Sequence, residues 1–250
     1  MTMYDLYLES GPRRKKTMVH VIELLGCVAT GPTTEAAIEG TPDAIRAFHR
    51  FLARHGEAID HADPIELRVI EHLTEGVFIG NGTPYITYGP DLHAITDEEI
   101  GRLLNRVDWL YEEVIAWAER QLPPDLAFKP AGGRANHEVL LHIMGSQASA
   151  LSISLGSAPG FGKIRGAAER GEMPMAEALS RMGPMVRERI AATTPEQRNA
   201  VRVLDTGTFT LRKSLRGTLE HLWDHLTELS LRPGGPLLYG HSLSLHNVPM

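Results

Sequence analysis

The chain has 250 residues, 42% apolar and 22% charged, with a formal net charge of −6 and one cysteine, Cys27. That length suits one large domain or two modest ones, each burying a core of its own. The acidic balance argues against a duplex nucleic-acid surface, a lone cysteine excludes an intrachain disulfide, and no apolar run reaches the ~20 residues that span a bilayer.

The opening MTMYDLYLES lacks the basic start and apolar core of a signal peptide, so a cytoplasmic protein is expected. Tyr4, Leu6 and Leu8 alternate with Asp5 and Tyr7, which predicts a strand from Met3 to Leu8. Arg13-Arg14-Lys15-Lys16 lies between two apolar runs and is expected to be a solvated hairpin turn. Thr17 to Leu24 is a second strand, Gly26 begins a turn, and Cys27 to Thr30 resumes extended. Gly31-Pro32-Thr33 breaks the pattern, and Thr33 or Thr34 caps a helix that runs to about His55, with Pro42 expected to kink or divide it. Ile65 to Ile70 is a further strand. Residues 1–75 are therefore predicted to form an α+β domain.

Residues 76–95 carry Gly76, Gly80, Gly82, Pro84, Gly89 and Pro90 and are expected to be a linker. From 96 to 232 the chain reads as four helices. Thr96 caps the first, where Ile100, Leu103, Leu104, Val107, Leu110, Tyr111 and Val114 follow three-and-four spacing, and Pro123-Pro124 ends it. The others run from about Ala135 to Leu155, from Pro174 to Ala192 with a kink expected at Gly183-Pro184, and from Leu211 to Leu231. Four such helices make an all-α four-helix bundle the natural packing, and the glycine-rich connection 156–173 is long enough to let the second and third run parallel. Residues 233–250 form a C-terminal tail.

Twelve histidines are present, and their spacing carries the chemistry. His221 and His225 stand four apart, so a helix places both imidazoles on one face, one turn apart. Two such rings can share one cation, and His142, on another helix beside Val139, Ile143 and Ser146, is the candidate third ligand. A chance surface pair and a core histidine bonded to a carbonyl are the bland readings of the same residues. His137, His241 and His246 are rival ligands.

Two stretches then carry a family resemblance: Asn136-His137-Glu138-Val139-Leu140-Leu141-His142-Ile143, and Phe209 through His225 with Thr218-Leu219-Glu220-His221-Leu222-Trp223-Asp224-His225 at its end. Residues 96–232 resemble the DinB/YfiT-like superfamily of metal-binding four-helix bundles. The resemblance implies parallel second and third helices and a divalent metal, Zn²⁺ or Ni²⁺, on His142, His221 and His225. Met18 to Leu24, Gly26 to Ile38 and Asp43 to Ile45 separately resemble the HicB-like antitoxin N-terminal domain. That likeness implies a scaffold, a dimerisation element or a protein partner recognised through residues 1–75. Antitoxins of that type usually continue into a DNA-binding module, whereas this chain continues into helices, so no nucleic acid is expected.

Three neutral imidazoles would leave an ion its full charge and an open position, as catalytic sites do. The DinB-like resemblance implies a thiol-S-transferase-type enzyme, in which a low-molecular-weight thiol is activated as a thiolate to attack an electrophile. A metal-dependent hydrolase and a non-catalytic, metal-stabilised interaction protein are the alternatives. Arg212 and Arg216 are candidates for holding an anionic thiol, Glu138, Glu220 and Asp224 flank the ligands, and Cys27 is expected to be a small buried apolar residue. A homodimer is the expected assembly.

Overall fold

The computed structural model describes residues 2–12, 16–59 and 64–238; the expected basic turn at Arg13, Arg14 and Lys15 and the tail histidines His241 and His246 lie outside them. The first half builds a four-stranded sheet from β1 (Thr2–Ser10), β2 (Thr17–Val21), β3 (Val28–Gly31) and β4 (Ile65–Leu73), in the order β3-β2-β1-β4. β1 pairs antiparallel with β2, from Leu6 opposite Val21 to Ser10 opposite Thr17, and parallel with β4. The parallel pairing requires a crossover, which α1 (Thr34–Arg54) supplies. Thr33 caps α1 through its side chain on the Ala36 amide.

Two expectations need adjusting here. α1 continues through Pro42 as one helix rather than two. β2 is shorter than the Thr17–Leu24 run, because Ile22–Leu24 winds into a 3-10 turn. β1 is also buried on both faces. Tyr4, Leu6 and Leu8 face α1, with the Tyr4 hydroxyl 3.3 Å from His49 Nε2, while Tyr7 packs against Tyr88 at 5.0 Å between ring centroids.

The rest of the chain is mostly helical. After a 3-10 turn at Gly89–Leu92 come α2 (Asp97–Glu119), α3 (Pro123–Ala127), α4 (Asn136–Leu155), α5 (Phe161–Glu169), α6 (Met175–Ala191), α7 (Pro195–Arg198) and α8 (Leu211–Ser230). Thr96 and Thr210 cap α2 and α8 through their hydroxyls. Pro123 and Pro124 open the short α3 instead of closing α2. The 156–173 connection holds α5, and a small hairpin, β5 (Arg202–Leu204) and β6 (Gly207–Phe209), precedes α8. α6 runs on through Pro184.

The long helices pack α2 on α6 and α8, and α4 on α6 and α8. Arg187 bonds Asp108 and Asn105 while Gly183 abuts Tyr111, so α2 and α6 run in opposite directions. Arg212 pairs with Glu99 near the starts of α8 and α2, and Trp117 bonds the Gly234 carbonyl beyond their ends, so these two run the same way. Arg189 reaches from the last turn of α6 to the Leu155 and Ser157 carbonyls, which joins the C-terminal ends of α4 and α6.

One apolar core spans both halves. Phe48 and Phe51 of α1 pack on Trp223 of α8 at 4.9 and 5.3 Å between centroids. Burial of an aromatic side chain of this kind is worth roughly 1.5–3 kcal/mol. The 76–95 stretch packs against both halves, Tyr88 on Tyr7 and Asp91 on Arg216, with Ile79, Tyr88, Asp91 and Ile95 buried.

Candidate metal centre

α8 presents two faces. Leu219, Leu222, Trp223 and Leu226 are sealed in the core, and His221 and His225 project beside them toward α4. α4 runs antiparallel to α8 at this level, since Asn136 meets Arg232 while Ser146 meets His221. His142, one turn before Ser146, therefore arrives opposite the pair.

The three imidazoles converge. His142 and His221 lie 4.7 Å apart between ring centroids, His142 and His225 5.0 Å, and His221 and His225 4.4 Å. One nitrogen from each ring lies within 4.8 Å of those of the other two. His142 Nε2 and His221 Nε2 are 3.0 Å apart. Two nitrogens each ~2.0–2.1 Å from one ion, at coordination angles of roughly 90–110°, would stand about 2.9–3.4 Å apart. The observed separation falls in that interval.

The rings are not committed elsewhere to the backbone. His221 Nε2 faces both His142 Nε2 and the Ser146 hydroxyl, each at 3.0 Å, and its Nδ1 is buried without a hydrogen-bond partner. His225 Nδ1 donates to Glu228 Oε2 at 2.7 Å, which fixes the ring and leaves Nε2 as the nitrogen that could reach an ion. Glu228 is itself held by the buried Arg232, which also donates to Asn136 Oδ1 at 2.7 Å and to the Arg134 carbonyl at 3.0 Å. A chain of bonds thus runs from the first residue of α4 to the second histidine of α8. By contrast, His137 Nδ1 pairs with the Leu126 carbonyl at 3.0 Å and takes no part in the trio.

Electrostatics favours the ligating form. Burial, then the neighbouring His225 and Arg134, lowers the His142 pKa to about 4. Burial, with His225 and His142 beside it, pushes His221 well below the usual imidazole value. Both rings are neutral at pH 7, the state in which imidazole binds a metal. Burial alone would raise the Glu228 carboxyl; the hydrogen bond from His225 and the charge of Arg232 outweigh it and hold the group below the usual carboxylate range.

Glu228 is the partner that sequence reasoning passed over. Its signal was available: it lies three residues after His225 on α8, within reach of the same ring. The flanking carboxylates serve otherwise. Glu138 accepts from the Ala135 amide at 2.6 Å and caps α4. Glu220 pairs with His20 and Arg216. The half-buried Asp224 is pushed up by burial, and His225 is the foremost of the charges that act against that shift. Arg212 and Arg216 are not free for a cofactor: Arg212 is bidentate on Glu99, and Arg216 is buried against Asp91 and Glu220. Cys27 is fully buried, and burial pushes its thiol up.

Comparison with known protein families, with curated proteins and with solved structures gives no match. Among the described residues, no helix is long and apolar enough to cross a membrane.

Proposed function

We propose that this chain is a metalloprotein of the DinB/YfiT-like type, in which α2, α4, α6 and α8 form the four-helix bundle and His142, His221 and His225 hold one divalent ion, Zn²⁺ or Ni²⁺. The reading rests on one observation: imidazole nitrogens from two helices converge at ligand spacing, with Glu228 orienting one of the rings. All-nitrogen donors suit Zn²⁺ and Ni²⁺ alike. Three protein ligands leave a coordination position for an exogenous molecule. The ion's contribution would be Lewis acidity, which lowers the proton affinity of a thiol or water that reaches it.

The chain's own residues supply the rest. Glu228 orients His225, and Ser146 faces His221. We assign the activity to transfer of a low-molecular-weight thiol onto an electrophilic small molecule in the cytoplasm, with metal-dependent hydrolysis as the alternative chemistry. A role for residues 1–75 in binding a protein, a second copy included, is favoured by β4. It is an edge strand of nine residues whose middle exposes Val69 and Ile70.

The test is elemental analysis of the purified protein beside His142→Ala and His221→Ala. One equivalent of metal in the parent and a large loss in both variants is the expected result. Full retention by either variant would remove the assignment.

A further inference from the structure

The C-terminal ends of α4 and α6 border a cleft of about 220 Å³ that is separate from the histidine trio. Its polar lining comes from Ser154 in the last turn of α4, Arg189 in the last turn of α6, Thr193, Gln197 of α7 and Arg202 of β5. Ser154 stands 12 residues beyond His142 on α4, which is about 18 Å along the helix axis. Gly156 closes α4 with a φ of +85°, and Arg202 Nη1 lies 3.7 Å from where its Cβ would stand.

This lining has donors to spare. Arg189 donates from Nε to the Ser157 carbonyl at 3.2 Å and from Nη2 to the Leu155 carbonyl at 3.1 Å, and Arg202 donates from Nη1 to the Ile153 carbonyl at 2.6 Å. Arg189 Nη1 and Arg202 Nε and Nη2 meet no acceptor among the described residues, and neither arginine has an ion-pair partner there. Gln197 Oε1 accepts from the Thr194 amide at 2.9 Å, which leaves Nε2 as a further donor. The Ser154 and Thr193 hydroxyls donate to the Ala150 and Ile190 carbonyls and add none. No carboxylate lines the cleft. The end of α4 supplies roughly half a negative charge, so two guanidiniums exceed it by more than one unit.

We propose that this cleft binds a small molecule through a phosphate group, held between Arg189 and Arg202 with Gln197 Nε2 as a neutral donor. Guanidinium forks match phosphate oxygens, and a dianion answers two cations where a carboxylate would answer one. The volume is below the roughly 300–1,000 Å³ of sites for drug-sized ligands, which suits inorganic phosphate or a short phosphate monoester. The site is independent of any metal on the histidines.

The experiment titrates the full-length, ¹⁵N-labelled protein with inorganic phosphate, methyl phosphate and acetate at constant ionic strength, and follows the backbone amides by NMR. Amides in 153–157 and 189–202 should shift together and saturate, while those around His142 and His221 stay still. Phosphate should bind at least about tenfold more tightly than acetate, the size of one charge-assisted contact. The tighter of the two phosphate probes identifies free phosphate or an ester as the source. Arg189→Gln and Arg202→Gln should each weaken phosphate binding about tenfold, and Arg202→Lys, which keeps the charge, should fall between them and the parent.

Shifts that never saturate, shifts centred on the histidine trio, or equal affinity for acetate overturn the inference in the parent protein alone, whether or not a variant folds. Parent-like binding by both glutamine variants overturns it as well.

Discussion

His20 Nδ1, on β2, donates to Glu220 Oε2, on α8, at 3.0 Å, across 200 residues of sequence. The contact is buried and does not stand alone. Arg216 donates to the same Glu220 oxygen at 2.7 Å and to both oxygens of Asp91, and Glu9 accepts from the Gly82 and Thr83 amides while lying 3.7 Å from His20 Nε2. Sheet, connecting segment and α8 therefore share one ionic cluster, placed one residue before His221. The first half is built into the support of the candidate ligand helix.

This cluster predicts a pH dependence. Burial disfavours the His20 imidazolium, but Glu220 and Glu9 more than offset it and raise its pKa to about 9. A raised pKa means stability that is fully present below the unfolded value of ~6.5 and lost as pH climbs through about 9. The loss is of order 3 kcal/mol. Lys213, which burial lowers to about 8, acts in the opposite sense over an overlapping window. Comparison with His20→Gln separates the two. Urea midpoints of the parent should fall relative to those of His20→Gln between about pH 6.5 and 9.5; parallel profiles would refute the prediction.

Arg216 should be the costliest residue of the cluster to lose. Its removal leaves Asp91 without its cation and Glu220 with His20 alone, both carboxylates at 5% exposure or less. Breaking a buried ion pair from one side typically costs about 3–5 kcal/mol. Arg216→Met, which keeps most of the side-chain volume, is expected to lower the free energy of unfolding by that amount in chemical denaturation. A change below about 1 kcal/mol would show that the carboxylates find other partners.

Much of this was legible beforehand, for physical reasons. Thr33, Thr96 and Thr210 are local caps, β1 and β2 announce themselves by alternation, and His221 and His225 are linked by helical period alone. What escaped depends on distant partners. The glycines and prolines of 76–95 suggest a free linker, yet Tyr88 and Asp91 are buried because Tyr7 and Arg216 come to meet them. The Arg202–Phe209 hairpin has strands of three residues, with Val203 and Leu204 exposed, so it leaves no burial pattern to detect. Arg212 and Arg216 look like available cations only until Glu99 and Asp91 fold against them.

Gly26 tests the join between the halves from the apolar side. Its backbone has φ of +106°, and a Cβ there would lie 2.7 Å from Phe48 Cζ and 3.2 Å from Leu219 Cβ. Gly26→Ala combines backbone strain with overpacking between α1 and α8, and should destabilise by about 2–4 kcal/mol. Gly40 is the matched control: it lies within α1, and a Cβ added there would meet nothing within 4 Å, so Gly40→Ala should stabilise by about 0.5–1 kcal/mol. Thermal unfolding of the two variants should therefore move in opposite directions, and a Gly26→Ala protein as stable as its parent would show that Phe48 is free to shift.

The role given to Glu228 is separable from that of the histidines. Its carboxylate accepts a hydrogen bond from His225 Nδ1 and also pairs with Arg232, so its removal loosens a proposed ligand and leaves a buried guanidinium partly unpaired. The second effect lowers stability whether or not a metal binds, so affinity must be compared with the unfolding midpoint of the metal-free protein. Loss of a carboxylate that orients a metal-binding imidazole typically weakens the site about 10–100-fold. Glu228→Gln keeps an acceptor for Nδ1 and should sit near the lower bound, with Glu228→Ala near the upper. Zinc affinity measured by competition with a chromophoric chelator should follow that order. If both variants match the parent in affinity while both lose stability, Glu228 serves the fold through Arg232 alone.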